Sequence, residues 1–225
     1  VTPAAGRLRY AAVLFDLDGT LIDSGTDLVN SVRHALGQVA PERALPDAGD
    51  ILALVGNPLE LFVRHFGWPD DPESTGRFVD AYRTHYAQHF NDHTRIYPGV
   101  SETLATLRAA GARLGLVTTK HQQQADFTAE RTGLAGALDH VHGWREDRQH
   151  KPHPEPVLLT CRALGVEPAQ SLMVGDTELD IEAGKAAGAA TCGITWGFRP
   201  AWLLAASRPD FLIASITDLV PIVSA

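Results

Sequence analysis

No stretch of this chain holds the ~18 consecutive apolar residues that a helix needs to cross a bilayer. No membrane association is therefore expected. The first residues, Val1–Arg9, lack the apolar centre of a secretory signal. Only two cysteines are present, Cys161 and Cys192, far apart and without the spacing of a metal site. They read as buried thiols of a reducing compartment, so a cytoplasmic setting is expected. Positive charge is scarce: 19 Lys and Arg stand against 27 Asp and Glu, a formal net charge of −8. Such a chain lacks the electrostatic footprint of a nucleic-acid binder. If it handles phosphate, the positive charge must be local, one metal ion and a few lysines. Internal repeats and low-complexity tracts are missing too, which excludes solenoids and arrays. What is present is ordinary globular material. With 225 residues, 44% of them hydrophobic, the chain can build one large or two small domains around a proper core.

Strand-like and helix-like stretches alternate. Ala11–Phe15, Arg113–Val117, Leu138–Val141, Ser171–Val174, Ala190–Ile194 and Phe211–Ile213 read as short buried strands. Val100, Leu104 and Leu107 keep one apolar face at helical spacing, with Gly111 as a stop, and Pro156 to Leu164 reads as a helix ending before Gly165. This alternation predicts an α/β fold: a doubly wound, Rossmann-like parallel sheet with helices on both faces. Residues 24–96 break the pattern. They carry helical spacing (Leu28-Val32-Leu36, Leu59-Val63, Phe78-Tyr82) and no convincing strand. A helical domain inserted after the first strand is expected over 24–96, with the core formed by 1–23 and 97–225.

The chemistry-bearing residues fall at predicted strand ends. The first strand runs into Asp16-Leu17-Asp18-Gly19-Thr20. Carboxylates there lie where open α/β sheets place their active sites. Val117 leads into Thr118-Thr119-Lys120, a hydroxyl at a strand tip able to hydrogen-bond an anion. Lys151 precedes Pro152-His153-Pro154, so its loop is conformationally restricted. Val174 leads into Gly175-Asp176-Thr177-Glu178-Leu179-Asp180, two carboxylates four apart, an oxygen-rich pair suited to Mg²⁺. Each has an ordinary structural explanation alone: an Asp-Gly turn, a threonine finishing a strand, a solvated lysine, an N-capped helix. Their occurrence together, in order, at successive sheet edges does not.

Together these motifs resemble the haloacid dehalogenase superfamily of phosphohydrolases over nearly the whole chain. Phe15–Ser24 resembles its first motif and the entry to a helical cap, Thr118 its second, Lys151 its third and Gly175–Asp180 its fourth. Ile194-Thr195-Trp196-Gly197-Phe198, Leu203-Leu204 and Pro209-Asp210 resemble the phosphoglycolate phosphatase branch. Thr119 departs from that branch, which usually has Asn there, and offers one donor instead of two. The resemblance implies an Asp16 nucleophile forming an aspartyl-phosphate, and Asp18 as the acid and base. It implies Mg²⁺ on the Asp16 carboxylate, the Asp18 backbone carbonyl and Asp176, with Asp180 acting through water or on the surrounding shell. Thr118 and Lys151 would hold the phosphoryl oxygens, with backbone N–H groups near Leu17 and Thr119. The expected partner is a small phosphate ester, with 2-phosphoglycolate foremost and its carboxylate received by Arg64 of the cap. No sequence pattern speaks to oligomeric state.

Three other readings share parts of this constellation. A β-phosphoglucomutase-like isomerase has the same Asp-x-Asp and cap, but typically Glu-Asp in place of Gly175-Asp176. A phospho-accepting receiver is about half this length and lacks the insertion. A haloalkanoate dehalogenase needs neither Asp18 nor a metal. His85, His89 and His93 share a four-residue spacing that could hold zinc, yet read better as exposed cap residues. His140, His142, His150 and His153 read as solvated, and the four tryptophans as packing residues.

Overall fold

The computed structural model describes residues 8–224. Most of Val1–Arg9, the stretch without a signal-like centre, lies outside them. The chain runs β1 (Ala12–Phe15), β2 (Ile22–Asp23), α1 (Gly25–Val39), α2 (Ala48–Leu52), α3 (Glu60–His65), α4 (Pro72–His89), β3 (Arg95–Ile96), α5 (Val100–Ala109), β4 (Arg113–His121), α6 (Gln122–Arg131), β5 (His140–Trp144), α7 (Glu155–Leu164), β6 (Ser171–Gly175), α8 (Glu178–Ala187), β7 (Ala190–Ile194), α9 (Ala201–Ala206), β8 (Phe211–Ile213) and α10 (Leu219–Val223). Six strands form one parallel sheet in the order β5-β4-β1-β6-β7-β8. No described helix is long and apolar enough to cross a membrane.

The fold is the expected doubly wound α/β architecture, and the alternation of side chains along each strand explains it. Val13 and Phe15 join Leu114, Leu116, Leu172 and Val174 on one sheet face, against α5 and α10. Leu14, Val117 and Met173 face the other way, against Val157 and Cys161 of α7 and Ala183 of α8. Strand β1 is central. The chain leaves it to build β4 and β5 on one side, then crosses to build β6, β7 and β8 on the other. Its carboxyl end is thus the topological switch point, where such sheets bind ligands. Both cysteines are buried free thiols, and burial pushes Cys192 up to about 12.

The described chain divides into two compact units, Ser24–Thr94 and the flanking segments up to Asp23 and from Arg95. The insertion therefore ends two residues earlier than expected. The difference comes from β2 and β3, which pair antiparallel (Ile22↔Ile96, Asp23↔Arg95). Two-residue strands leave no periodic signal. Within the helical unit, Val32, Leu36, Ile51, Phe62, Val63 and Phe78 form a separate core. Asp71 caps α4 by accepting from Ser74 N at 3.0 Å, with Pro72 at the first helical position.

Strand β5 begins and ends later than its sequence suggests. Gly143, a poor strand former, is required there. A Cβ on it would lie 2.6 Å from Gln122 Cα, and its N–H donates to Gln122 Oε1 at 2.8 Å. His142 on this strand is half-buried, not solvated, and burial pushes its pKa down to about 4. Trp202 is 71% exposed, so it is not a packing residue. The three evenly spaced histidines do not converge. Helix α4 ends at His89, and each Nδ1 has its own partner: Ser31 Oγ for His85, Asp92 for His89 and the buried Asp27 for His93.

Candidate active site

Two parallel strands and one helix end on a single acidic cluster. Strand β1 delivers Asp16, whose backbone N–H donates to Val174 O of β6. Strand β6 delivers Asp176, and the first turn of α8 adds Asp180. All three carboxyl groups are buried, and one oxygen from each lies within 4.8 Å of the others. Lys151, in the loop after β5, crosses the sheet edge to join them. Its Nζ lies 2.6 Å from Asp16 Oδ1 and 2.5 Å from Asp180 Oδ1, and donates to Val117 O at 2.9 Å. Lys151, read from sequence as a restricted loop residue, is buried at the centre of the cluster.

Asp176 is held from several directions. Thr20 Oγ1 donates to its Oδ1 at 3.3 Å and Phe198 N to its Oδ2 at 2.7 Å. Gly19, with φ +85°, and Gly197 both approach so closely that a Cβ on either would collide with this carboxylate. Gly175 serves Asp180 in the same way, since the Asp180 carboxyl group fills the place of a Cβ at 175. Asp180 Oδ2 accepts from both Thr177 N (3.0 Å) and Thr177 Oγ1 (2.7 Å). Both of its oxygens are therefore engaged.

Three buried carboxylates against one ammonium leave an excess of negative charge in low dielectric. Burial, then the Asp180 carboxylate, pushes Asp176 up to about 7, although Phe198 N–H, Lys151 and Arg199 pull it down. Burial raises Asp16 well above the usual carboxylate range. Burial alone would lower Lys151, but Asp16 and Asp180 outweigh it and hold the ammonium above its ordinary value. An all-oxygen donor set with uncompensated charge fits a hard divalent cation, which would relieve it.

This charge excess has a measurable consequence. A carboxyl group whose pKa is about 7 folded and 3.8 unfolded binds more protons in the folded state. Stability then falls as pH rises from about 4 to about 7. In chelator, Tm is expected to drop by several degrees between about pH 5 and pH 8. A divalent cation should shrink the drop. A metal-free Tm that stays flat or rises over this range contradicts the charge assignment.

The remaining expected residues are placed as follows. Thr118 is buried on β4, and its Oγ1 accepts from Lys120 N at 3.1 Å. A hydroxyl accepting through a lone pair still has its hydrogen to donate. Thr119 is partly buried beside it. Asp18 Oδ1 lies 3.1 Å from Lys120 Nζ, an ion pair that the sequence did not suggest. The β4–β5 pairing is irregular between Val117 and His121, a local re-aiming of side chains common beside active sites. Arg199 was also missed: it is buried, with Nε 3.0 Å from Glu178 Oε2. Arg64 belongs to the helical unit, largely exposed, with Nε 3.4 Å from Asp70 Oδ2.

Known proteins are similar to this chain over most of its length. The family model of haloacid dehalogenase-like hydrolases matches residues 13–194. The chain is 35% identical over 215 residues to the pyrophosphatase PpaX of Bacillus velezensis, covering 95% of this chain and 96% of that protein. It is 34% identical over 214 residues to the phosphoglycolate phosphatase of Aquifex aeolicus, covering 92% and 94%. A crystal structure of a predicted phosphoglycolate phosphatase from Haemophilus somnus superimposes with a TM-score of 0.86 at 28% identity, covering 96% of this chain and 99% of that one. A buried aspartate cluster at the switch point of a parallel sheet and a family match across most of the chain agree: this protein belongs to the haloacid dehalogenase-like hydrolases and is a phosphoric monoester hydrolase.

Proposed function

We propose that the protein is a Mg²⁺-dependent phosphatase of small phosphomonoesters, acting through an aspartyl-phosphate on Asp16, with 2-phosphoglycolate the leading substrate. The observation that carries this reading is Asp16 itself. It stands at the carboxyl end of β1, 2.6 Å from the Lys151 ammonium and grouped with Asp176 and Asp180. Asp16 attacks phosphorus while Thr118 and Lys151 hold the phosphoryl oxygens. Asp18 gives a proton to the leaving oxygen and then takes one from the attacking water. Asp16, Asp176 and the Asp18 backbone carbonyl would hold Mg²⁺, which when bound offsets the repulsion between nucleophile and phosphate. Asp180, with both oxygens already engaged, acts as an orienting group for Lys151 and the metal shell. On this reading the buried free thiols accord with a cytoplasmic protein.

Pyrophosphate is the second candidate, favoured by the relatives named pyrophosphatase. It shares with phosphoglycolate a small size and a leaving group that is itself anionic. A mutase-like isomerase is disfavoured at position 175: the glutamate typical of that branch has no room where the Asp180 carboxyl group stands. On the helical unit, Arg64, largely exposed beside Asp70, is proposed to attract the anionic leaving group rather than to hold its carboxylate. Arg64→Ala should then raise KM for phosphoglycolate and spare an uncharged aryl phosphate.

A panel of small phosphate esters, assayed with Mg²⁺ and with chelator, tests the proposal. Phosphoglycolate should rank first, and chelator should stop turnover. Sugar phosphates ranking first would sink the branch assignment. Asp18→Asn is expected to abolish turnover yet leave Mg²⁺ binding in place, because the backbone carbonyl survives the change. Calorimetric loss of Mg²⁺ binding along with activity would refute that division of roles.

A further inference from the structure

We propose that Lys120 is a specificity-determining residue whose ammonium receives a negative charge on the leaving group. The enzyme would thereby select phosphate compounds with a second anionic group next to the scissile bond. This inference rests on the phosphatase reading above and names the substrate class of that site.

The site holds two buried lysines, one for each aspartate of the first motif. Lys151 sits on Asp16, the side of the nucleophile and the transferred phosphoryl group. Lys120 sits on Asp18, the side of the leaving oxygen. Its side chain is only 3% exposed, and its Nζ lies 3.1 Å from Asp18 Oδ1. Burying an ammonium costs several kcal/mol unless it is well compensated. The strand geometry places it deliberately. Where β4 leaves its regular pairing with β5, Lys120 N turns to Thr118 Oγ1, so the phosphate-binding hydroxyl and the lysine are fixed in one short segment.

Charge accounting gives this lysine a task. Phosphoglycolate brings a phosphate dianion and a carboxylate to a site that already holds Asp16, Asp18, Asp176 and Asp180. A divalent cation, when bound by Asp16 and Asp176, and Lys151 would both serve the phosphoryl side. Arg199 is engaged with Glu178. The leaving-group side needs a cation of its own, and Lys120 is the one beside the group that must touch the leaving oxygen. Its four-carbon stem lets the ammonium shift from the Asp18 carboxylate to an anion one or two bonds beyond that oxygen. Phosphoglycolate and pyrophosphate both carry one there. An uncharged alcohol leaving group has nothing to exchange for Asp18.

The test compares 2-phosphoglycolate with its amide, which has nearly the same shape and no carboxylate charge. The ratio of the two kcat/KM values is the readout, so any general loss of activity cancels. The wild type should prefer the acid by about tenfold or more, as expected for a charge-assisted contact. Lys120→Met should bring the ratio close to one, and Lys120→Arg should keep most of the preference. Lys120→Gln, which can still hydrogen-bond Asp18, provides a second neutral variant should the first fold poorly, with the same expected collapse. A ratio unchanged in the neutral variants overturns the proposal, as does a wild type that shows no preference. Failure of the phosphatase reading would show separately, as no Mg²⁺-dependent hydrolysis of p-nitrophenyl phosphate. In that event the ratio of calorimetric Kd values for the same two ligands replaces the kinetic ratio, with the same expected and overturning results.

Discussion

Asp16→Asn is expected to lower kcat by more than about 10³, equivalent to ~4 kcal/mol of transition-state stabilisation, while the protein stays folded. An amide has no anionic oxygen with which to attack phosphorus, and it is a poorer ligand for a hard cation. The fold should not suffer, because the change removes a charge from a cluster that has too many. Asp16, Asp176 and Asp180 share a single ammonium, and burial has already raised the proton affinity of Asp16 and Asp176. In chelator, Tm of the variant should match or exceed that of the wild type. Retention of a tenth of wild-type activity in a folded variant would remove Asp16 from the nucleophile role.

Lys151→Met is expected to damage stability as well as activity. Its ammonium bridges two carboxylates that water scarcely reaches. Methionine fills a similar volume but supplies no charge. Leaving buried carboxylates without their partner costs about 3–5 kcal/mol, or a Tm fall of roughly 10 °C for a chain of this size. Loss of a donor to the phosphoryl oxygens should lower kcat by at least about 10². The loss of stability should be smaller near pH 5, where the stranded carboxyl groups can take protons. A fall of less than about 2 °C at pH 8 would show that Lys151 is not the counter-charge of the cluster.

The parts of this protein legible in its sequence are those fixed by local pattern. Val13-Leu14-Phe15 and Leu172-Met173-Val174 are buried on both sheet faces, and so read as continuous apolar strands. Asp16, Asp176 and Lys151 stand out because they follow such runs or sit in a proline-restricted loop. What was not legible depends on contacts distant in sequence. Lys120 looks like any lysine after two threonines until β4 brings it to Asp18, 102 positions earlier in numbering. Gly19 and Gly197 look like turn residues, yet both make room for one carboxylate. Arg199 lies 21 residues beyond Glu178 in a loop with no periodic signal. The even spacing of His85, His89 and His93 could have held zinc but read better as cap residues, and in the fold α4 stops at His89 while the third histidine turns to Asp27.

The central claim is a covalent phosphoryl-enzyme on one named carboxylate, and chemical trapping tests it most directly. Turnover of 2-phosphoglycolate with Mg²⁺ is quenched rapidly in acid, the protein is treated with borohydride, and its peptides are sequenced by mass spectrometry. Borohydride reduces an acyl phosphate to an alcohol and leaves free carboxylates alone. The account predicts reduction at Asp16 only, dependent on both substrate and Mg²⁺, and absent from Asp16→Asn. Reduction at Asp18 or Asp176 instead, or rapid steady-state turnover with no reduced carboxylate at any time of quenching, would contradict it.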